Sequence, residues 1–128
     1  MKPAAAVRLV SDKLELPSTV MTETQLQNTV TDMARSFGWM LYHPWRSVKS
    51  ETGFPDLVLV RPPRVIIAEL KTQKGKLRPG RWTKSKTNPR WLPGQDEWLA
   101  AFGGCPGVET HLWRPQDLDS GDIEKVLN

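Results

Sequence analysis

Apolar residues recur at helical spacing in one early segment of the chain. Five of them lie three or four positions apart: Leu26, Val30, Met33, Ala34 and Phe37. This spacing places side chains on one face of an α-helix and predicts a helix over residues 22–37. Thr22 and Gln25 have the spacing of a capping box at its start, and Gly38 is suited to its end.

Two β-rich runs, 53–61 and 64–71, surround the dipeptide Pro62-Pro63 and predict a β-hairpin. With the two prolines as the loop, Arg61 pairs with Arg64. Both faces of the runs are largely apolar, so we expect an interior strand pair that is covered on both sides.

The remaining patterns are shorter. They predict a strand at 39–42, a loop at 43–52, a helix at 95–102, a strand at 108–113 and a final helix at 118–127. The order αβββαβα indicates an α/β fold with a mixed central β-sheet flanked by helices. We interpret residues 1–21 as a flexible leader and residues 22–128 as a single domain.

Charge is distributed unevenly along the 128 residues, whose net charge is +4. Residues 61–90 contain ten Lys and Arg against one acid, whereas the rest of the chain is acidic. Residues 72–94 lack periodicity and contain several Gly and Pro, so they predict a long basic loop inserted in the domain. A basic segment on an acidic body favours a polyanionic partner, and the alternative is a solvated charged loop.

Several classes of protein are disfavoured by composition. The single cysteine, Cys105, allows no internal disulfide, and no apolar run exceeds five residues, so we expect no membrane span and a cytoplasmic protein. The stretch 75–82 lacks the Lys-Ser/Thr pair of a phosphate-binding loop, so no nucleotide cofactor is expected.

The predicted hairpin brings acidic residues together. In its register Asp56 lies opposite Glu69, and Lys71 shares their face. Opposed carboxylates repel each other, so either one of them is protonated or a cation lies between them. Lys71 alone would make a structural salt bridge, whereas hard oxygen ligands with open water positions suit Mg²⁺. Glu23, at the start of the first helix, is a candidate third carboxylate.

The combination of these motifs resembles a known family. Gly53-Phe-Pro-Asp56 followed after thirteen positions by Glu69-Leu-Lys71 is similar to the PD-(D/E)xK nuclease pattern. The fuller set resembles the VRR-NUC group (virus-type replication-repair nucleases) over residues 22–127: Gly38-Trp39, His43, Arg46, GFPDLVLVR, IIAELKT, Gln95, Trp98-Leu99 and Trp113-Arg114-Pro115.

The resemblance implies a restriction-endonuclease-like core and a Mg²⁺- or Mn²⁺-dependent endonuclease acting on branched or duplex DNA. It assigns Asp56, Glu69 and Glu23 to the metal, Lys71 to catalysis and Gln95 to the site. Such proteins resemble Holliday-junction resolvases, serve DNA recombination or repair, are typically homodimers and often occur in phages. In the family the glutamine follows the lysine closely, whereas here 23 residues separate them.

Basic residues before and within the insertion are candidate DNA contacts, together with one tryptophan: Arg46, Lys49, Lys74, Lys76, Arg78, Arg81, Trp82, Lys84, Lys86 and Arg90. Trp82 and Trp91 would either stack on unpaired bases or attach the loop to the core. Two other functions remain open: a DNA-binding module that retains the fold without catalysis, and a nuclease acting on RNA.

Overall fold

A computed structural model describes residues 8–10, 13–15, 21–44 and 52–128 of the chain. Its strands are β1 (Arg8–Val10), β2 (Lys13–Glu15), β3 (Met40–Tyr42), β4 (Leu57–Arg61), β5 (Arg64–Leu70), β6 (Arg81–Trp82), β7 (Trp91–Leu92) and β8 (Val108–Trp113). Its helices are α1 (Glu23–Ser36), α2 (Gln95–Gly103), α3 (Pro115–Asp119) and α4 (Asp122–Leu127).

Helix α1 begins with the predicted capping box. The Gln25 backbone N–H donates to Thr22 Oγ1 across 3.1 Å, and the Thr22 N–H donates to Gln25 Oε1 across 2.9 Å. Two of the four unpaired N–H groups at the helix start are thereby satisfied. Gly38 follows the helix with a φ of 86°, a conformation that glycine adopts without steric cost.

A mixed four-stranded sheet occupies the centre, in the order β3-β4-β5-β8. The first three strands are antiparallel, and β5 pairs with β8 in parallel. Helices α1 and α4 cover one face, where their apolar residues pack with those of β4 and β5. Helix α2 contacts β5 and β8. Glu69, which alternates along β5 with the core residues Ala68 and Leu70, faces this helix. The predicted α/β architecture with a mixed sheet is confirmed.

The central hairpin has the predicted register. Leu57 pairs with Ala68 and Arg61 pairs with Arg64, with the prolines between them as the turn. The Pro62–Pro63 peptide bond is cis. Because β4 and β5 each have a neighbour on both sides, the expectation of an interior strand pair is also confirmed.

The end of the chain differs from the prediction. In place of one helix at 118–127, α3 and α4 are separated at Ser120 and Gly121. Helix α3 begins at Pro115, three residues before the predicted start, because the fixed φ of proline suits the first turn of a helix. Gly121 has a φ of 84° and interrupts the helical path.

Two small strand pairs lie outside the central sheet. Strands β1 and β2 pair antiparallel within the segment interpreted as a leader, which the sequence analysis did not predict. Strands β6 and β7 pair antiparallel within the predicted basic loop. We name residues 78–92 the basic hairpin. No helix in the described part of the chain is both long enough and apolar enough to cross a membrane.

Candidate active site

Asp56 lies immediately before β4 and next to the end of β5. Its Oδ2 accepts a hydrogen bond of 2.8 Å from the backbone N–H of Leu70. Continuing the β4–β5 register by one position places Asp56 opposite Glu69. The contact with the neighbouring N–H holds the Asp56 carboxylate beside that of Glu69, as the hairpin pattern predicted.

Glu69 is the most deeply buried acid of the described site, with 1% of its surface exposed. Its Oε2 accepts a hydrogen bond of 2.7 Å from the side-chain amide of Gln95. Its Oε1 is buried and has no hydrogen-bond partner among the described residues. A buried carboxylate oxygen without a partner is costly, so this atom indicates a missing ligand or proton.

The electrostatics of Glu69 favour its protonated form in the absence of a metal. Burial, and after it the negative charge of Asp56, raises the pKa of the Glu69 carboxyl to about 8. The ammonium of Lys71 acts in the opposite direction without cancelling these effects. When both carboxylates are ionised, the site has one more negative charge than Lys71 neutralises.

Lys71 is buried directly after β5. Its backbone N–H donates to the carbonyl of Trp113 across 3.0 Å, which continues the parallel pairing of β5 and β8. Its Nζ lies 3.7 Å from Glu69 Oε2. This distance allows an ion pair but exceeds that of a strong charge-assisted hydrogen bond, so the ammonium remains available to another anionic group.

Gln95, the first residue of α2, reaches the site although 26 positions separate it from Glu69. The backbone N–H of Arg78 donates to Gln95 Oε1, and the Gln95 N–H donates to the Arg78 carbonyl, each across 2.8 Å. Because a backbone N–H only donates, it fixes the amide oxygen on its side and directs the NH₂ group to Glu69. The insertion between Lys71 and Gln95 therefore does not displace the glutamine from the site.

Three glycines permit this arrangement. A Cβ at Gly53, which has a φ of 85°, would lie 2.6 Å from the Pro93 carbonyl oxygen. A Cβ at Gly94 would overlap the backbone of Pro79 and Gly80. Close backbone approach is therefore required where the loop before β4, the basic hairpin and the start of α2 meet. Sequence reasoning treated Gly80 and Gly94 only as loop signals and missed this packing role.

Arg114 is a further residue whose role sequence reasoning missed. Its Nη1 donates to the carbonyls of Thr72 and Gly75, across 2.7 Å and 2.6 Å. These carbonyls belong to the segment that directly follows Lys71. The arginine therefore holds that segment against the end of β8, and its place in the Trp113-Arg114-Pro115 motif was the only sequence signal.

Glu23 is exposed in the first turn of α1, where a carboxylate stabilises the positive end of the helix dipole. Among the described residues, no group of three or more His, Cys, Asp and Glu side chains is arranged to hold a metal ion. The assignment of Glu23 as a third carboxylate ligand therefore stays a prediction.

The candidate DNA contacts lie at the surface. Eight of the ten candidates lie in the described part of the chain, and all eight are exposed: Lys74, Lys76, Arg78, Arg81, Trp82, Lys84, Lys86 and Arg90. Arg46 and Lys49 lie outside the described residues. The exposed set extends from the segment after Lys71 through the basic hairpin.

Two oxygens of this site suit a hard divalent cation. Asp56 supplies a half-buried carboxylate, and Glu69 supplies the buried, unpartnered Oε1. A cation between adjacent carboxylates would remove their repulsion, and water or substrate oxygens would complete its coordination. The donor set fits Mg²⁺ or Mn²⁺ better than a soft metal, because it contains only oxygen.

Comparisons with protein-family models, with curated proteins and with solved structures find no match to this chain.

Proposed function

We propose that this protein is a Mg²⁺- or Mn²⁺-dependent nuclease that hydrolyses phosphodiester bonds in DNA. The observation that carries the proposal is the buried, unpartnered Oε1 of Glu69, next to Asp56 and within ion-pair distance of Lys71. An unpaired buried acceptor is destabilising, and a cation bound between the two carboxylates would satisfy this oxygen.

Asp56 and Glu69 would hold the cation, and their resemblance to the PD-(D/E)xK pattern supports this assignment. A cation there would lower the pKa of a bound water and stabilise charge on the phosphoryl oxygens. Gln95 occupies Glu69 Oε2 and so leaves Oε1 for the ligand. The core would then be of the restriction-endonuclease-like type.

Lys71 has the role of an electrostatic group in this proposal. Its ammonium lies in a buried environment, where charge–charge interactions are stronger than in water. It would stabilise the negative charge that develops on the phosphoryl group as water attacks phosphorus and the bond to the sugar oxygen breaks. The positively charged side chains of the basic hairpin would hold the strand through its phosphates.

A test uses labelled four-way junction, fork, duplex and single-stranded DNA with Mg²⁺, Mn²⁺ or EDTA. The wild-type chain should cleave at least one of them with either metal, and cleavage should be lost in EDTA and in Asp56→Asn, which keeps the shape but removes the charge. Symmetric cleavage of the junction would require two active sites and therefore a two-fold homodimer. Equal cleavage by wild type and Asp56→Asn would contradict the proposal.

The second candidate is a DNA-binding module without catalysis, which the exposed basic hairpin also supports. It gives no reason for the unpartnered Glu69 oxygen. DNA binding without cleavage or metal binding under any of these conditions would favour it.

A further inference from the structure

The two tryptophans of the basic hairpin have different environments. They pair across β6 and β7 and contact each other edge to face, with ring centroids 5.6 Å apart. The indole N–H of Trp91 donates to the carboxylate of Glu97 on α2, and its ring lies over Gly80. Trp82 has 62% of its surface exposed, against 42% for Trp91, and no hydrogen bond with the described residues holds its indole to the domain. Trp91 therefore attaches the hairpin to the domain, whereas Trp82 presents aromatic surface to solvent.

The surroundings of Trp82 are positively charged. Arg78, Arg81, Lys84, Lys86 and Arg90 are exposed on the same hairpin. The sequence contains no acidic residue from position 70 to position 95. An exposed indole among cations, without a neighbouring acid in the segment, is the composition of surfaces that bind single-stranded nucleic acid by stacking and phosphate contacts.

The hairpin has a defined structure and a defined connection to the site. The Thr83 N–H donates to the Arg90 carbonyl, and the Arg90 N–H donates to Thr83 Oγ1, across 2.9 Å and 3.1 Å. At its base, the Arg78 N–H donates to Gln95 Oε1 and the Gln95 N–H donates to the Arg78 carbonyl, and the Gln95 side chain in turn contacts Glu69. The position of the hairpin is thereby linked to the position of the carboxylate pair.

We infer that Trp82 stacks on an unpaired DNA base, so that the substrate of the proposed nuclease contains a single-stranded or splayed segment beside the cleaved bond. This inference rests on the proposed function, because only a nuclease would have the bound DNA as its substrate. Stacking selects an unpaired base because the faces of paired bases within a duplex are already covered by their neighbours. The basic side chains hold the same strand and do not distinguish its sequence.

The test measures binding in EDTA, so that no cleavage occurs. The probes are a fork with 2-aminopurine in its single-stranded arm and a fully paired duplex of the same length. Trp82→Ala should weaken fork binding about tenfold and remove the quenching of 2-aminopurine, while duplex binding changes less than about twofold. Trp82→Phe, which retains an aromatic face, should restore most of the affinity and quenching.

Two variants serve as controls. Tyr42→Ala removes an equally exposed aromatic side chain, 60% exposed on β3, and should leave fork and duplex binding unchanged. Lys86→Ala should weaken fork and duplex binding by similar factors, because it removes a phosphate contact. Equal losses for fork and duplex in Trp82→Ala, no loss in either, or no binding of DNA by the wild type would overturn the inference.

A parallel reaction on the same fork with Mg²⁺ separates the two proposals. Metal-dependent cleavage with no effect of Trp82→Ala on fork binding overturns the stacking inference and leaves the nuclease proposal intact. Selective loss of fork binding in Trp82→Ala, with no metal-dependent cleavage of any substrate, overturns the nuclease proposal and leaves the stacking surface intact.

Discussion

Gln95 donates its side-chain amide to the buried carboxylate of Glu69 across 2.7 Å and simultaneously accepts the backbone N–H of Arg78. One side chain thus joins the carboxylate pair to the base of the basic hairpin. With 5% of its surface exposed, Gln95 makes these contacts without competition from bulk water.

Replacing Gln95 should destabilise the fold and impair the site together. Gln95→Leu leaves the Arg78 N–H and Glu69 Oε2 without their partner, which should lower the free energy of unfolding by about 1–3 kcal/mol. Urea denaturation measures this change. Asp96→Ala, at the exposed next position of α2, is the control and should change stability by less than about 1 kcal/mol. Wild-type stability in Gln95→Leu would show that these contacts do not hold the site.

Glu69 should make the metal-free protein less stable as pH rises. Its pKa is raised from 4.5 to about 8 in the folded state, so the native state binds the proton more tightly than the unfolded state does. Stability is therefore greatest below about pH 4.5 for this group and falls until about pH 8, by an amount on the order of 5 kcal/mol. Above that pH both states are ionised, and the contribution becomes constant.

The measurement is urea denaturation in EDTA at several pH values between 5 and 8.5. Glu69→Gln cannot ionise, so the difference between wild type and this variant isolates the contribution of Glu69. The difference should shift in favour of the variant as pH rises. A difference that stays constant with pH would show that Glu69 has an ordinary pKa in the folded chain.

Lys71→Met should separate catalysis from metal binding. Methionine has a similar length and no charge, so it leaves the backbone hydrogen bond to Trp113 in place and removes the ammonium beside Glu69. Cleavage should fall about 10²–10³-fold, because an electrostatic group aimed at the developing charge is lost. Single-turnover cleavage in Mn²⁺ checks the rate, and calorimetric titration checks that Mn²⁺ still binds. A cleavage rate equal to that of the wild type would remove Lys71 from the mechanism.

Gly94→Ala should destabilise the protein for steric reasons alone. The backbone of Gly94, with φ of −83° and ψ of 174°, suits alanine, but the added Cβ would overlap the backbone of Pro79 and Gly80. We expect a loss of about 1–3 kcal/mol in the free energy of unfolding.

The matched control is Gly104→Ala. This glycine also has a φ of −83°, and the nearest heavy atom to its added Cβ is 3.5 Å away, an ordinary contact. Thermal or urea denaturation should find this variant equal to or slightly more stable than wild type, since alanine restricts the unfolded chain. Equal stability of the two variants would show that the hairpin base does not approach α2 closely.

The local part of the site could be predicted from the sequence. Period-two patterning around Pro62-Pro63 determines which residues of β4 and β5 are paired, and pairing alone brings Asp56 to Glu69. The helical spacing and the Thr22–Gln25 capping box likewise define α1 within one residue at each end.

The long-range part could not be predicted in the same way. The contact from Gln95 to Glu69 depends on how an aperiodic segment folds back, and no spacing rule determines that path. Gly53 and Gly94 are required by backbone approach and Gly80 by the side chains of Trp91 and Glu97, and a sequence pattern does not distinguish these needs from ordinary turns. The assignment of Glu23 to the metal stays a prediction, because its helix position defines a face of α1 but not its distance from the hairpin.

Arg61 illustrates a further limit of sequence patterns. Flanking a turn, it would be expected in solvent, yet its guanidinium donates to the carbonyls of Phe37 and Leu127 and lies 4.6 Å from the ring centre of Trp39. These carbonyls lie at the ends of α1 and α4, where unpaired acceptors favour a cation. The surroundings of a side chain near a turn therefore depend on which helix ends pack beside it.

In the proposed function, Asp56 and Glu69 form a divalent cation site rather than only a salt bridge with Lys71. Calorimetric titration of the metal-free protein with Mn²⁺ at pH 8 tests it most directly, with Asp56→Asn as the comparison. We predict a binding site in the wild-type chain that Asp56→Asn loses, while circular dichroism shows that the variant remains folded. Absence of Mn²⁺ binding by the wild type, or equal binding by Asp56→Asn, would contradict the claim.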